Sequence, residues 1–281
     1  MRKFIFIFLC FVVIAADAQT SKKNGRLELF NGKDLSGWDT YIGRVLDSTT
    51  DKRSGEPLGL NNDPDRVFSV ASEDGKPAIR ISGQHFGGIS TLGEFENFHL
   101  RLEFKWGDKR WKPRHDKQRD SGLLYYAVGA HGADGGSWMR SQEFQVQERD
   151  CGDYWGVSGG IFDIPAAKNK NGDYAYDPAA PLLTFSETSP QGRHCIKNPD
   201  AEKPTGEWNV LEVYCYGDTA VHIMNGQVVM VLYKSRQADN GNETPLKKGK
   251  IQIQSEGAEI FYRNISVETI RAIPKDKLGK K

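Results

Sequence analysis

Gln142-Glu143-Phe144-Gln145-Val146-Gln147 alternates polar and apolar side chains from Glu143 onward. A β-strand turns successive side chains to opposite faces. Phe144 and Val146 therefore enter a core, while Glu143, Gln145 and Gln147 share the other face. The same period of two recurs over 99–106, 208–214 and 250–254, with shorter runs at 78–81 and 221–224. Asn225-Gly226 then precedes the apolar run 227–231. Asn-Gly between two β runs predicts a type I′ hairpin, because both residues tolerate positive φ. A helical period is hard to find anywhere in the chain. Many short strands joined by turns predict an all-β sandwich. Residues 107–120 and, broadly, 150–205 read as two long loops, the first rich in Lys, Arg and Asp, the second in Gly, Pro and Asn. Long loops at the rim of a rigid sheet are where sites are usually built.

Composition narrows the class of partner. The chain has 281 residues with 38 Lys and Arg against 37 Asp and Glu, a net charge of +1. So balanced a chain has no field to attract a polyanion, and nucleic acid is not an expected partner. Of the four cysteines, Cys10 lies in the first apolar stretch, leaving Cys151, Cys195 and Cys215. Cys151 and Cys195 stand in polar, Gly-rich surroundings and are expected to pair; Cys215 lies in a strand pattern and is expected to be a buried free thiol. No CxxC, P-loop, nucleophile elbow or dinucleotide fingerprint is present.

Three large hydrogen-bonding side chains in a row, Glu143, Gln145 and Gln147, suit a cleft that binds sugars. Flat aromatic groups complete such a site, and Tyr125, Tyr126, Trp138, Tyr154 and Trp155 stand nearby in sequence. A solvent-facing strand would carry the same pattern, since antiparallel sheets commonly face water on one side. His131 follows a strand-like run and is grouped with the substrate-contacting candidates. It has no partner at metal-ligand spacing. Asp120 and Asp134 are loop carboxylates without a calcium-binding pattern.

Several stretches together resemble the 3-keto-disaccharide hydrolase family. They begin with Leu29-Phe30-Asn31-Gly32-Lys33-Asp34-Leu35-Ser36-Gly37-Trp38 and continue through Asp120-Ser121-Gly122-Leu123-Leu124-Tyr125 and Glu143-Phe144-Gln145-Val146-Gln147-Glu148. Gly206-Glu207-Trp208-Asn209, Ile251-Gln252-Ile253-Gln254 and Tyr262-Arg263-Asn264-Ile265 follow in order. The resemblance implies a concanavalin A-like jelly roll of two curved antiparallel sheets, with ligand in the concave face. It also implies substrates oxidised at C3 of the sugar.

Related folds host retaining glucanases, which need two carboxylates ~5–5.5 Å apart. Here the alternating positions hold only one acid, because Glu148 falls on the opposite face. Direct displacement is therefore disfavoured. A 3-keto sugar needs less: one base to take the acidified C2 proton and one cationic group at the enolate oxygen, followed by loss of the C1 substituent and hydration of the glycal. Glu143 is the expected base and Arg140 the expected enolate partner. Gln145, Gln147, Tyr125, Trp138, Trp155 and His131 are the expected sugar contacts. A divalent cation is the alternative stabiliser, though no ligand motif announces one. A non-catalytic carbohydrate-binding module, or a cell-surface interaction domain, is the alternative to an enzyme.

The N-terminus supplies the compartment. Arg2-Lys3 precedes the unbroken apolar stretch Phe4–Ala15, and Ala16-Asp17-Ala18 gives the small-x-small pattern that signal peptidase requires. The stretch is shorter than the ~20 residues needed to span a bilayer. The expected organisation is a signal peptide at 1–18, a linker at 19–25, the sandwich domain at 26–270 and a basic tail at 271–281. The protein is accordingly expected in the periplasm or outside the cell. N-terminal sequencing of the exported protein should begin near Gln19; retention of Met1 would overturn this reading.

Overall fold

The computed structural model describes residues 22–23, 25–47 and 49–278. The expected signal peptide lies outside them. Among the described residues, two antiparallel sheets form a jelly-roll sandwich, one of 13 strands and one of eight. The smaller sheet runs in the order His194–Cys195, Tyr154–Val157, Arg140–Gln147, Asp120–Val128, Lys250–Ser255, Gly87–Thr91, Trp38–Ile42, Gly59–Leu60. The larger sheet is centred on Ala258–Thr269, Phe98–Arg110, Asn209–Tyr216, Thr219–Met224 and Gln227–Asp239. Glu256-Gly257 links Lys250–Ser255 in one sheet to Ala258–Thr269 in the other, and Gly257 takes a φ of 82° there. Glycine meets no Cβ clash at that angle.

The core lies between the sheets. Leu123, Tyr125, Phe144, Val146, Ile251 and Ile253 of the smaller sheet share one buried cluster with Leu100, Leu102, Phe104, Val213, Ile223 and Tyr262 of the larger. Each such large side chain contributes about 1.5–3 kcal/mol by leaving water. Two polar links cross this core. Tyr125 Oη lies 2.9 Å from His222 Nε2, and Ser121 Oγ lies 2.8 Å from Tyr262 Oη. Burial drives the His222 pKa down to about 3, so the ring is neutral. These links fix which face of the smaller sheet is turned inward.

The predicted strands are present, and Asn225-Gly226 forms the expected hairpin with φ values of 49° and 82°. The expected loop at 150–205 needs correction. It contains the strands Tyr154–Val157, Gly160–Lys168, Tyr174–Tyr176, Leu182–Phe185 and His194–Cys195. Their Gly and Pro content hid them. The loop at 107–120 is shorter than expected, since the preceding strand runs on to Arg110. Lys22–Lys23 pairs with Arg26–Glu28, so strand pairing begins within the expected linker. Ile273 is buried in the core cluster and Leu278 packs against it, so the basic C-terminal segment is not simply a solvated tail.

The expected Cys151–Cys195 bridge is absent: both are buried free thiols, as is Cys215. Cys151 Sγ contacts the Gln147 carbonyl oxygen at 3.3 Å, whereas Cys195 Sγ faces the Ile196 carbonyl oxygen at 3.9 Å. The two thiols are directed at different parts of the backbone. Among the described residues no helix is long and apolar enough to cross a membrane.

Candidate active site

Strand register assembles the site. On Arg140–Gln147, Glu143 stands opposite Leu124 on one neighbour and Trp155 on the other. Gln145 stands opposite Gly122, and Gln147 opposite Asp120. On the far side of Asp120–Val128, Leu123 pairs with Ile253, which brings Gln254 beside Gly122. A Cβ on Gly122 would collide with Glu143 Oε1 and Gln254 Oε1. Both oxygens therefore lie directly over the Gly122 backbone, in space that any other residue would fill. Glu143, Gln145 and Gln147, with Asp120 and Gln254 from the neighbouring strands, face a cleft that is open to solvent.

Charged groups close the cleft on two sides. On one side, Arg114 contacts the Asp120 carboxylate closely, lies 3.4 Å from Glu256 Oε1 and donates to Gln147 Oε1 at 2.9 Å. On the other, Arg193 pairs with Asp134 at 3.3 Å and lies over the Trp155 ring at 5.5 Å. Trp138 forms a second aromatic wall; its Nε1 donates to the Gly87 carbonyl oxygen at 3.0 Å and its ring stacks on Phe86 at 6.0 Å. Asp120 Oδ1 and Gln254 Oε1 are buried acceptors with no hydrogen-bond partner. Buried acceptors are normally satisfied, so these two are candidates to receive hydroxyls of a ligand.

Burial dominates the electrostatics. It pushes the Glu143 pKa well above the usual carboxylate range, with help from the negative Glu256 and Asp134, while Arg193 and the Gln254 amide pull the other way. No ion-pair partner reaches Glu143 within 4.0 Å among the described residues. Burial also pushes Glu256 up to about 7 against the pull of Arg114 and Arg53. Asp120 is raised by burial and by Glu256, and Arg114 opposes this. Strongly perturbed acids in a cleft are a mark of functional sites. No group of three or more His, Cys, Asp or Glu side chains among the described residues is arranged to hold a metal ion. The residues present thus do not fit the divalent cation considered from sequence, and no step is derived through one.

Five of the side chains expected from sequence meet in this cleft: Glu143, Gln145, Gln147, Trp138 and Trp155. Three do not. Arg140 leaves the cleft; its Nε donates to the Ser158 carbonyl oxygen at 2.7 Å, and its guanidinium lies 3.5 Å from Asp239. It lines a separate groove with Ser158, Ser186 and Asp239. Tyr125 is one step out of phase with Leu124 and so points into the core toward His222. His131 stacks on Tyr41 at 5.4 Å and is not among the cleft-lining residues. Arg114, Asp120, Asp134, Arg193, Gln254 and Glu256 were not expected as site residues, and all six line the cleft. The expectation of a single acid is thereby corrected. Glu256 continues the period of Gln252 and Gln254, so its place was readable; Arg114, Asp134 and Arg193 reach the cleft from outside any alternating stretch.

The Glu256 assignment has a measurable consequence for stability. A raised folded pKa means that the folded chain still holds a proton which the unfolded chain, near 4.5, has released. Stability should then fall as pH rises from about 4.5 through about 7. Urea unfolding at pH 5 and pH 8, values chosen at about the edges of that window, should show this loss. Glu256→Gln should remove roughly 1–3 kcal/mol of the difference. Identical pH dependence in parent and variant would contradict the assignment.

This architecture has likenesses among solved structures. It is similar to a provisionally assigned glycosyl hydrolase from Parabacteroides distasonis, at 17% identity and TM-score 0.48, covering 89% of this chain and 99% of that one. A second such protein from Parabacteroides distasonis shares 22% identity at TM-score 0.44, covering 73% and 91%. The carbohydrate-binding module CBM66 from Bacillus subtilis shares 12% identity at TM-score 0.40, covering 72% and 91%. No curated protein matches the chain. The sequence pattern of the 3-keto-alpha-glucoside-1,2-lyase-like domain matches residues 25–268, and the chain belongs to that family.

Proposed function

We propose that this chain is an exported carbohydrate-active enzyme that cleaves 3-keto glycosides by C2 proton abstraction and β-elimination, followed by hydration. The observation that carries the reading is Glu143: a buried carboxylate over Gly122, in an open cleft walled by Trp138 and Trp155, with no ion-paired Lys or Arg among the described residues. Family membership supports this choice of substrate class. The ketone at C3 acidifies the C2 hydrogen, and a base with a raised pKa is a stronger proton acceptor once ionised. Electron density from the broken C2–H bond moves onto the C3 oxygen as an enolate.

Arg193 takes the role first expected of Arg140. It is the cation whose charge Glu143 feels most strongly, and its pairing with Asp134 holds it at the cleft wall. A fixed positive group at a developing oxyanion is worth far more in a dry site than in water. Trp155 and Trp138 offer flat faces to the sugar ring, and Gln145, Gln147 and Gln254 offer amides to its hydroxyls. The enolate then expels the C1 substituent, and water adds to the resulting glycal.

Glu148 and Arg140 are suitable controls. Glu148 is tied to Arg119 at 3.0 Å and to Thr205, outside the cleft. Glu143→Gln should lower aglycone release from a 3-keto glucoside by ~10²–10⁴-fold. Glu148→Gln and Arg140→Gln should stay close to the parent rate. A Glu143→Gln protein as active as the parent would sink the assignment. Tight binding of the same glycoside without turnover by the parent would favour the non-catalytic binding module.

A further inference from the structure

Elimination from an unactivated glycoside expels an alkoxide, a poor leaving group unless a proton reaches it as the C1–O bond breaks. Glu143 is engaged at C2, where a proton must be delivered again in the hydration half, so a second group is needed at the glycosidic oxygen. Three other carboxyl groups line the cleft: Asp120, Asp134 and Glu256. Asp134 is held in an ion pair by Arg193 at 3.3 Å. Asp120 and Glu256 share the single guanidinium of Arg114, which touches Asp120 closely and stands 3.4 Å from Glu256.

One positive charge neutralises one carboxylate. Burial raises both carboxyls, and with a single guanidinium between them the pair shares a proton; the closer Arg114 contact draws the negative charge toward Asp120 and the proton toward Glu256. Glu256 also presents more of itself to the cleft, its side chain being 14% exposed against 5% for Asp120. Its place at the Glu256-Gly257 crossing between sheets fixes the backbone beneath it.

Resting on the function proposed above, we infer that Glu256 is the acid that protonates the glycosidic oxygen, and that Arg114 and Asp120 are the positioning residues that keep it protonated. The step balances as follows. Glu143 carboxylate takes the C2 proton, the C2–H electrons form the enolate, and the C1–O pair leaves on the oxygen, which takes the Glu256 proton. The products are an alcohol and a 2-hydroxy-3-keto glycal, with Glu143 protonated and Glu256 ionised. In the second half, Glu256 carboxylate takes a proton from water as the water oxygen bonds to C1. Glu143, its proton exchanged with solvent through the open cleft, delivers a proton to C2, and both groups recover their starting states.

Leaving-group dependence separates this role from a structural one. Methyl 3-keto-glucoside needs the acid; 4-nitrophenyl 3-keto-glucoside expels a phenolate that needs none. Glu256→Gln should slow release of methanol ~10²–10⁴-fold while slowing release of 4-nitrophenol less than about 10-fold. The preserved second activity would also show that the variant is folded. Equal losses on both substrates, or no loss on the methyl glycoside, would overturn the inference while leaving the function of the site intact. If the parent turns over neither substrate, the function reading fails and this role fails with it. Should Glu256→Gln not fold, Glu256→Asp draws the acid back by one methylene, and the same split between substrates is expected.

Discussion

The absence of a side chain at Gly122 is the constraint on which the cleft depends. Two strands flank Asp120–Val128, and each sends a long polar side chain over the same backbone position: Glu143 from one and Gln254 from the other. The arrangement requires a fixed register. A slip of one residue along Arg140–Gln147 would turn Glu143 into the core and bring Phe144 to water. The links between sheets oppose such a slip on the strand beside it. Ser121 is tied to Tyr262 and Tyr125 to His222, so the residues on either side of the cleft-facing Gly122 and Leu124 are anchored inward. Gln142 adds a third anchor on the strand of Glu143 itself, donating to the Ile161 carbonyl oxygen at 3.0 Å and accepting from Tyr154 Oη at 2.7 Å. One strand thus supplies core and cleft from alternate positions.

That geometry sets the chemistry through charge balance. Four carboxyl groups line the cleft with two arginines, Arg114 and Arg193. Arg114 is occupied by Asp120 and Glu256, and Arg193 by Asp134. Glu143, and the Asp120–Glu256 pair that shares one guanidinium, are left with less compensation than their burial demands and hold protons to higher pH. Such groups can exchange protons with a substrate near neutrality, which ordinary surface carboxylates do poorly. The aromatic walls and the amides of Gln145, Gln147 and Gln254 are uncharged, and they contribute shape and hydroxyl recognition without disturbing this balance.

Much of this was legible in the sequence because the smaller sheet obeys the period of two. Glu143, Gln145 and Gln147 could be placed on one face, and Phe144 and Val146 on the other, from alternation alone. The period in Gln252 and Gln254 extends to Glu256, although Ser255 breaks the apolar half of the pattern. Arg140 is close to Glu143 in sequence but not in space: an odd separation from it and an irregular register after Tyr125 direct it elsewhere. Tyr125 points into the core for the same phase reason. Arg114, Asp134 and Arg193 come from connecting segments whose paths local patterns do not encode. The strands between Tyr154 and Cys195 were hidden by Gly159, Gly160 and Pro165, and the two loop-like cysteines suggested a bridge, but both are free thiols.

The central claim is that Glu143 removes the hydrogen from C2, and the fate of that hydrogen tests it most directly. A 3-keto glucoside can be turned over in D₂O and the released sugar examined at C2 by NMR, with an enzyme-free sample correcting for spontaneous exchange. Elimination and rehydration through Glu143 predict solvent-derived deuterium at C2 of every product molecule formed by the enzyme. Product that retains its original C2 hydrogen at the parent rate of cleavage would mean displacement at C1 without proton abstraction, and would contradict the account.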